Sequence, residues 1–238
     1  MTRLLVSVRS LDEACLAAEA GVDLIDLKEP RHGSLGRAEI GLAHAVSERF
    51  AARHPLSMAL GELADWSAAD WSLLAQLPPG IRFAKVGLAR CAALRDWRAI
   101  WRRAIGAIAQ QCHPVAVMYA DWQAAGAPDP DQVLEAAVHN GCRAVLIDTW
   151  SKNRGNLFAH LDRSVIASIF RHAKAHSLLS VLAGSLTVDV LSDALGVAPD
   201  CVAVRGAVCT GSREGGTCPD KLRQWCDLVH SHQHDRPS

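Results

Sequence analysis

Of the 25 basic residues in this 238-residue chain, only five are lysine: Lys28, Lys85, Lys152, Lys174 and Lys221. Three of them, Lys28, Lys85 and Lys152, fall in or just beyond apolar, β-prone runs: LIDLK (24–28), FAKVGLA (83–89) and AVLIDTW (144–150). The choice of side chain matters, because an ammonium can lose its proton and attack a carbonyl, whereas a guanidinium stays protonated in proteins. A chain that uses arginine for ordinary charge and keeps lysine at strand ends points to imine chemistry. Amines gathered in a partly buried mouth lower one another's pKa and so activate one another. Lys174 and Lys221 lie in helical stretches and read as solvated surface cations.

Carboxylates accompany the lysines. Asp26 and Lys28 are two apart on one strand and project to the same face. Asp148 stands late in its run, four residues before Lys152. Such acids can shuttle protons during imine and enamine steps and hold an amine in place. An acid within an apolar strand is costly unless paired, and a structural ion pair between Asp26 and a lysine is the alternative reading.

The last two runs supply glycine-rich ends: Ala183-Gly184-Ser185, then Val204-Arg205-Gly206-Ala207, with Gly211, Gly215 and Gly216 beyond. Backbone N–H groups at such loops bind phosphate, and glycine permits the close approach. Arg205 is expected to clamp the phosphate oxygens bidentately. Tight turns alone would also explain these glycines. No metal is expected: Cys209, Cys218, Cys226, His230, His232 and His234 match no zinc-ligand spacing. Trp66, Trp71, Trp97 and Trp101 read as packing residues in helices.

These residues need a scaffold that brings distant strand ends together. Eight apolar runs (4–8, 24–28, 56–62, 83–89, 114–121, 144–150, 179–185, 201–207) alternate with stretches of helical period (10–20, 37–53, 66–77, 96–111, 129–140, 162–177, 187–195, 219–232). Ser10, Ser67, Asp129, Asp162, Thr187 and Pro219 stand where helices should start, and Gly21 and Gly141 where they should stop. The runs are apolar throughout instead of alternating, as strands buried on both faces are. The spacing predicts a single-domain α/β fold, a (β/α)8 TIM barrel over residues 1–232, with a tail at 233–238. No G-x-G-x-x-G follows the first run, which argues against a dinucleotide-binding sheet. In barrels of this kind chemistry gathers at the C-terminal strand ends, where the three lysines fall.

Acidic and basic residues balance at 25 each, so no global field recruits nucleic acid or an anionic membrane. There is no signal-peptide pattern and no long apolar run, so a cytoplasmic protein is expected. The eight cysteines contain no C-x-x-C pair and read as small hydrophobes. The expected partner is a phosphorylated small molecule, and the sequence is compatible with a homo-oligomer.

With these residues in place, the chain resembles the (5-formylfuran-3-yl)methyl phosphate synthase family of methanofuran biosynthesis. The resemblance runs nearly end to end through LLVSV (4–8), AGVDLIDLKEPRHGSLG (20–36), AKVGL (84–88), YAD (119–121), LIDT (146–149) with Lys152, LAGS (182–185) and VRGAVC (204–209). It implies a TIM-barrel lyase that condenses two molecules of glyceraldehyde 3-phosphate into a furan phosphate, releasing phosphate and water. It further implies that Lys28 matches the Schiff-base lysine and Lys85 the proton acceptor, with Asp26, Asp148 and Lys152 as further polar site residues. Glu29 departs from the expected Asn. No cofactor is required, since a protonated imine is itself the electron sink. Two alternatives stand beside this reading: an ordinary class I aldolase or isomerase, and a non-catalytic phosphosugar-binding protein.

Overall fold

The apolar runs pair side by side as eight parallel strands, and the first pairs with the last, so the sheet closes into a barrel. The computed structural model describes residues 1–231. The tail at 233–238, with His234, and residue His232 lie outside the described residues. The strands are β1 (Arg3–Val8), β2 (Leu24–Leu27), β3 (Leu56–Glu62), β4 (Ile81–Gly87), β5 (His113–Tyr119), β6 (Ala144–Asp148), β7 (Leu179–Leu182) and β8 (Cys201–Val204). The α-helices are α1 (Leu11–Glu19), α2 (Ile40–Phe50), α3 (Ala68–Leu73), α4 (Trp97–Ala109), α5 (Trp122–Ala125), α6 (Pro130–His139), α7 (Arg163–Ala175), α8 (Leu191–Gly196) and α9 (Pro219–Ser231).

The caps explain where the helices begin. Ser10 accepts the Glu13 N–H, Ser67 and Asp70 form a reciprocal capping box, and Asp129 caps Asp131 ahead of Pro130. Gly21 and Gly141 take positive φ (84° and 72°) just past α1 and α6.

Four details depart from the sequence expectation. The third helical stretch is not one helix: α3 tightens into a 3-10 turn at Leu74–Gln76. The seventh begins with a 3-10 turn at Val188–Val190 before α8. The short α5, closed by Gly126, was not anticipated. The last two strands stop three residues early, because Gly184 (φ 103°) and Ser185 (φ 52°) leave the extended region and Gly206 opens a 3-10 turn.

Two apolar layers result. The outer one packs strands against helices and fully buries Trp101 and Trp225. Trp97 and Trp101 pack within it, and Trp66 meets Trp71 edge-on with ring centroids 5.0 Å apart. The inner layer fills the lumen with Leu5, Leu24, Phe83, Val115 and Leu146. All eight cysteines are free thiols, and burial pushes Cys112, Cys142 and Cys201 up to about 12, which suits packing and not nucleophilic attack. Among the described residues no helix is long and apolar enough to cross a membrane.

Candidate active site

Side chains of a strand alternate between lumen and helix layer, so an inward phase is shared by Ser7, Asp26, Ser57 and Lys85 on four adjacent strands. They form one chain of bonds inside the barrel. Ser7 donates to Asp26 Oδ2 (2.8 Å), Lys85 donates to Asp26 Oδ1, and Lys85 also donates to Ser57 Oγ (2.9 Å). Asp26 is 1 % exposed and Lys85 4 %. A buried charge pair is tolerated only when its remaining lone pairs and protons are satisfied, and the two serines do that here. The ion pair weighed for Asp26 therefore exists, and its partner is Lys85.

A second group stands one step nearer the C-terminal mouth. Asp148, the last residue of β6, accepts from Lys152 (2.6 Å), from the Thr149 N–H (2.8 Å) and from Ser34 Oγ (3.0 Å). Burial alone would raise this carboxyl, but the Lys152 and Lys28 charges and these bonds hold it below the usual carboxylate range. Lys152 is drawn down by burial, against which Asp148 supports its charge.

Lys28 completes the group and differs from the other two amines. It directly follows β2, two residues after Asp26, and is 8 % exposed. Its backbone N–H bonds to the Val8 carbonyl (3.0 Å), which fixes the main chain. Its Nζ has no hydrogen bond or ion pair among the described residues. Burial lowers its pKa from 10.5 to about 8; Asp148 and Asp26 oppose this fall, and Lys152 and Arg213 add to it. An uncommitted, readily deprotonated amine facing a cavity is what imine formation requires.

One cavity of about 110 Å³ is lined by Lys28, Lys85, Asp26, Asp148 and Lys152 together, and Gly184, Ser185 and Arg205 also border it. The structure thus brings eight of the nine residues singled out by sequence to a single space. Gly206 is in the adjoining 3-10 turn and does not line it. The N–H groups of Gly184 and Ser185 bond to no other described backbone group, so both are available to an anion.

Arg205 requires a correction. It was expected to clamp phosphate, but all five of its N–H donors are committed to protein acceptors. Nε–H donates to Arg213 O (2.9 Å), Nη1 to Ser7 O (3.1 Å) and Glu13 Oε2, and Nη2 to Glu13 Oε1 (3.1 Å) and Gly215 O (2.7 Å). A guanidinium has five donors and no more, so none remains for a ligand.

Sequence reasoning missed Ser7, Ser57, Ser34 and Arg213. The two strand serines carried a usable signal, a polar residue in the inward phase of an apolar strand. Arg213 carried none, because its loop has no period. Also missed was the hydrogen bond from Tyr119, the chain's single tyrosine, to Glu62 (2.5 Å), whose other oxygen accepts the Ala89 N–H (2.9 Å). Burial raises the Glu62 carboxyl, and burial beside Glu62 raises the Tyr119 hydroxyl. Glu29, the departure noted above, pairs with Arg9 (3.1 Å) and caps the Arg31 N–H (3.0 Å), outside the cavity.

A family model described as 4-HFC-P synthase matches residues 4–226. The chain is 30 % identical over 234 residues to the (5-formylfuran-3-yl)methyl phosphate synthase of Methanothermobacter thermautotrophicus, covering 96 % of this chain and 99 % of that one. It is 31 % identical over 225 residues to the enzyme of the same name from Methanopyrus kandleri, covering 92 % and 95 %. Among solved structures, phosphoribosyl anthranilate isomerase from Thermus thermophilus superposes with a TM-score of 0.64 at 14 % identity, covering 97 % of this chain and all of that one. That likeness speaks for the barrel alone.

Proposed function

Because this chain belongs to the 4-HFC-P synthase family, we propose that it condenses two molecules of glyceraldehyde 3-phosphate into (5-formylfuran-3-yl)methyl phosphate through an imine on Lys28. The observation that carries this reading is the uncommitted, buried amine of Lys28, with a pKa lowered to about 8, beside two lysines already tied to carboxylates.

The amine of Lys28 attacks the triose carbonyl, and loss of water gives a protonated imine. Its positive nitrogen draws electrons from the adjacent C–H bond, and the proton passes to the Asp26–Lys85 pair. For Lys85 to take it as a base, its own proton must first move to Asp26, and their direct contact provides that path. Expulsion of phosphate breaks a carbon–oxygen bond, the lyase step. The second triose loses its own C2 proton and adds through that carbon to the carbon that phosphate left; the C2 hydroxyl of the first triose then closes on the second aldehyde, and loss of two waters gives the furan. Hydrolysis of the imine frees Lys28. In sum, two trioses give one furan phosphate, one phosphate and two waters, with no net oxidation and no cofactor required. Asp148 keeps Lys152 charged beside the imine, and the N–H groups of Gly184 and Ser185 receive a substrate phosphate.

The test is incubation of pure protein with glyceraldehyde 3-phosphate, with ultraviolet and mass analysis of the product. A furan absorbs in the ultraviolet, an acyclic aldol product does not, and a mere binding protein yields neither. Borohydride trapping should place a triose-derived mass on the Lys28 peptide. Lys28→Arg should abolish adduct and furan, whereas Lys85→Arg should keep the adduct and lose the furan. An adduct on Lys85 or Lys152, with Lys28→Arg still active, overturns the assignment.

A further inference from the structure

The loop between β8 and α9 carries a small hairpin, closed by the antiparallel bridge Cys209–Thr217 and by Thr210 N–H bonding Gly216 O (2.9 Å). Its turn is tight enough that a Cβ on Gly215 would sit 2.1 Å from the Thr210 carbonyl oxygen. Arg205 grips this hairpin from below at two carbonyls, Arg213 O and Gly215 O, while Glu13 of α1 holds the far edge of its guanidinium with both oxygens. The Arg205–Glu13 pair is nearly sealed from solvent. The hairpin therefore stands in a fixed place over the barrel mouth.

Arg213 rides on it and borders the cavity. It donates one N–H to Gly33 O (3.1 Å) in the loop after β2, and its other N–H groups have no acceptor among the described residues. Charge at the mouth makes this guanidinium stand out. Asp148 and Lys152 neutralise each other, and the neighbouring Glu214 faces Arg31 (4.0 Å). Besides Lys28, Arg213 is thus the cation lining the cavity at its mouth that has no carboxylate partner among the described residues, close enough to Lys28 and Asp148 to influence both.

We propose that Arg213 is the guanidinium that binds a substrate phosphate at the barrel mouth, and that Arg205, locked to Glu13, is the positioning residue that holds it there. The assignment rests on the reading above, in which the site takes phosphorylated aldehydes. It gives Arg213 the role first expected of Arg205 and explains why so many donors are committed beneath the hairpin that carries it.

Two measurements test it. Calorimetric titration with inorganic phosphate should show Arg213→Gln binding about ten- to a hundredfold more weakly than wild type, the range for losing a charged hydrogen-bond partner. Borohydride trapping with glyceraldehyde 3-phosphate should fall similarly at subsaturating substrate, while trapping with unphosphorylated glyceraldehyde should not change. Arg205→Lys, which cannot span the same five acceptors, should show the same selective loss. Glu13→Gln serves as the second variant if Arg205→Lys does not fold. A merely structural residue would reduce both aldehydes alike, and that result, or wild-type phosphate affinity in Arg205→Lys or Glu13→Gln, overturns the positioning role. Wild-type phosphate affinity in Arg213→Gln overturns the binding role. If wild type forms no adduct with either aldehyde yet Arg213→Gln still weakens phosphate binding, the imine reading fails and this one stands.

Discussion

The lowered basicity of Lys28 should be visible as a pH profile. With a pKa of about 8 in place of 10.5, the neutral fraction of this amine at pH 7 rises from roughly one in three thousand to roughly one in eleven, about a 300-fold gain. The initial rate of borohydride-trapped adduct should therefore climb with pH and level off with a midpoint near 8. Measuring between pH 7 and 10 keeps the substrate phosphate fully ionised, since its second proton leaves near pH 6. Neighbouring charges set the direction of further shifts. Asp148 favours the ammonium form of Lys28, so Asp148→Asn should move the midpoint to lower pH; Lys152 disfavours it, so Lys152→Met should move the midpoint up. Opposite movements from two residues bonded to each other are hard to obtain from a general loosening of the site. A wild-type midpoint near the ordinary lysine value, or both variants shifting the same way, refutes the reasoning.

The same burial predicts a stability effect. The folded-state pKa of Lys28 lies below its unfolded value, so its unfavourable contribution is full below about pH 8 and fades as pH rises towards 10.5. Lys28→Met should accordingly stabilise the inactive protein by up to about 3 kcal/mol at pH 7 and by little at pH 10, read from denaturant midpoints. Gly87 gives a coupling test. A Cβ there would lie 2.1 Å from Glu62 Oε2, so Gly87→Ala must displace the carboxylate that holds Tyr119 and Ala89. The expected loss is about 1–3 kcal/mol for the orphaned groups, shrinking to under about 1 kcal/mol in a Glu62→Ala background. Additive losses in thermal melts would show that the two positions do not interact as described.

The barrel was legible in the sequence because eight doubly buried strands leave continuous apolar runs, and because caps such as Ser10, Ser67 and Asp129 are chemical requirements of helix starts. Strand ends were less legible. Gly184-Ser185 and Gly206-Ala207 are too small to mark the end of an apolar run, yet their backbones have already left the strand, and hydropathy does not register φ. For the site, lysine scarcity located the three amines, and the i, i+2 spacing placed Asp26 with Lys28. What spacing could not give was partnership across the chain. That Lys85 belongs to Asp26, leaving Lys28 uncommitted, depends on β2 and β4 lying either side of β3. Arg205 shows the limit most clearly. Its position in the eighth run suggested a clamp, and only the approach of Glu13, 192 residues away, reveals that its donors are already taken.

The seam between β1 and β8 joins the two ends of the chain, and the Arg205–Glu13 pair lies across it. Contacts of such long sequence separation form late, after the chain's entropy has been reduced by nearer ones. During synthesis, Lys28 and Asp26 emerge early, whereas Lys152, Arg213 and the walls that bury Lys28 arrive only afterwards. In an unfolded chain Lys28 is a solvated lysine of ordinary basicity, almost entirely protonated at pH 7 and so a far poorer source of free amine. Its lowered basicity is thus a property of the finished barrel, set by walls that the chain's two ends bring together.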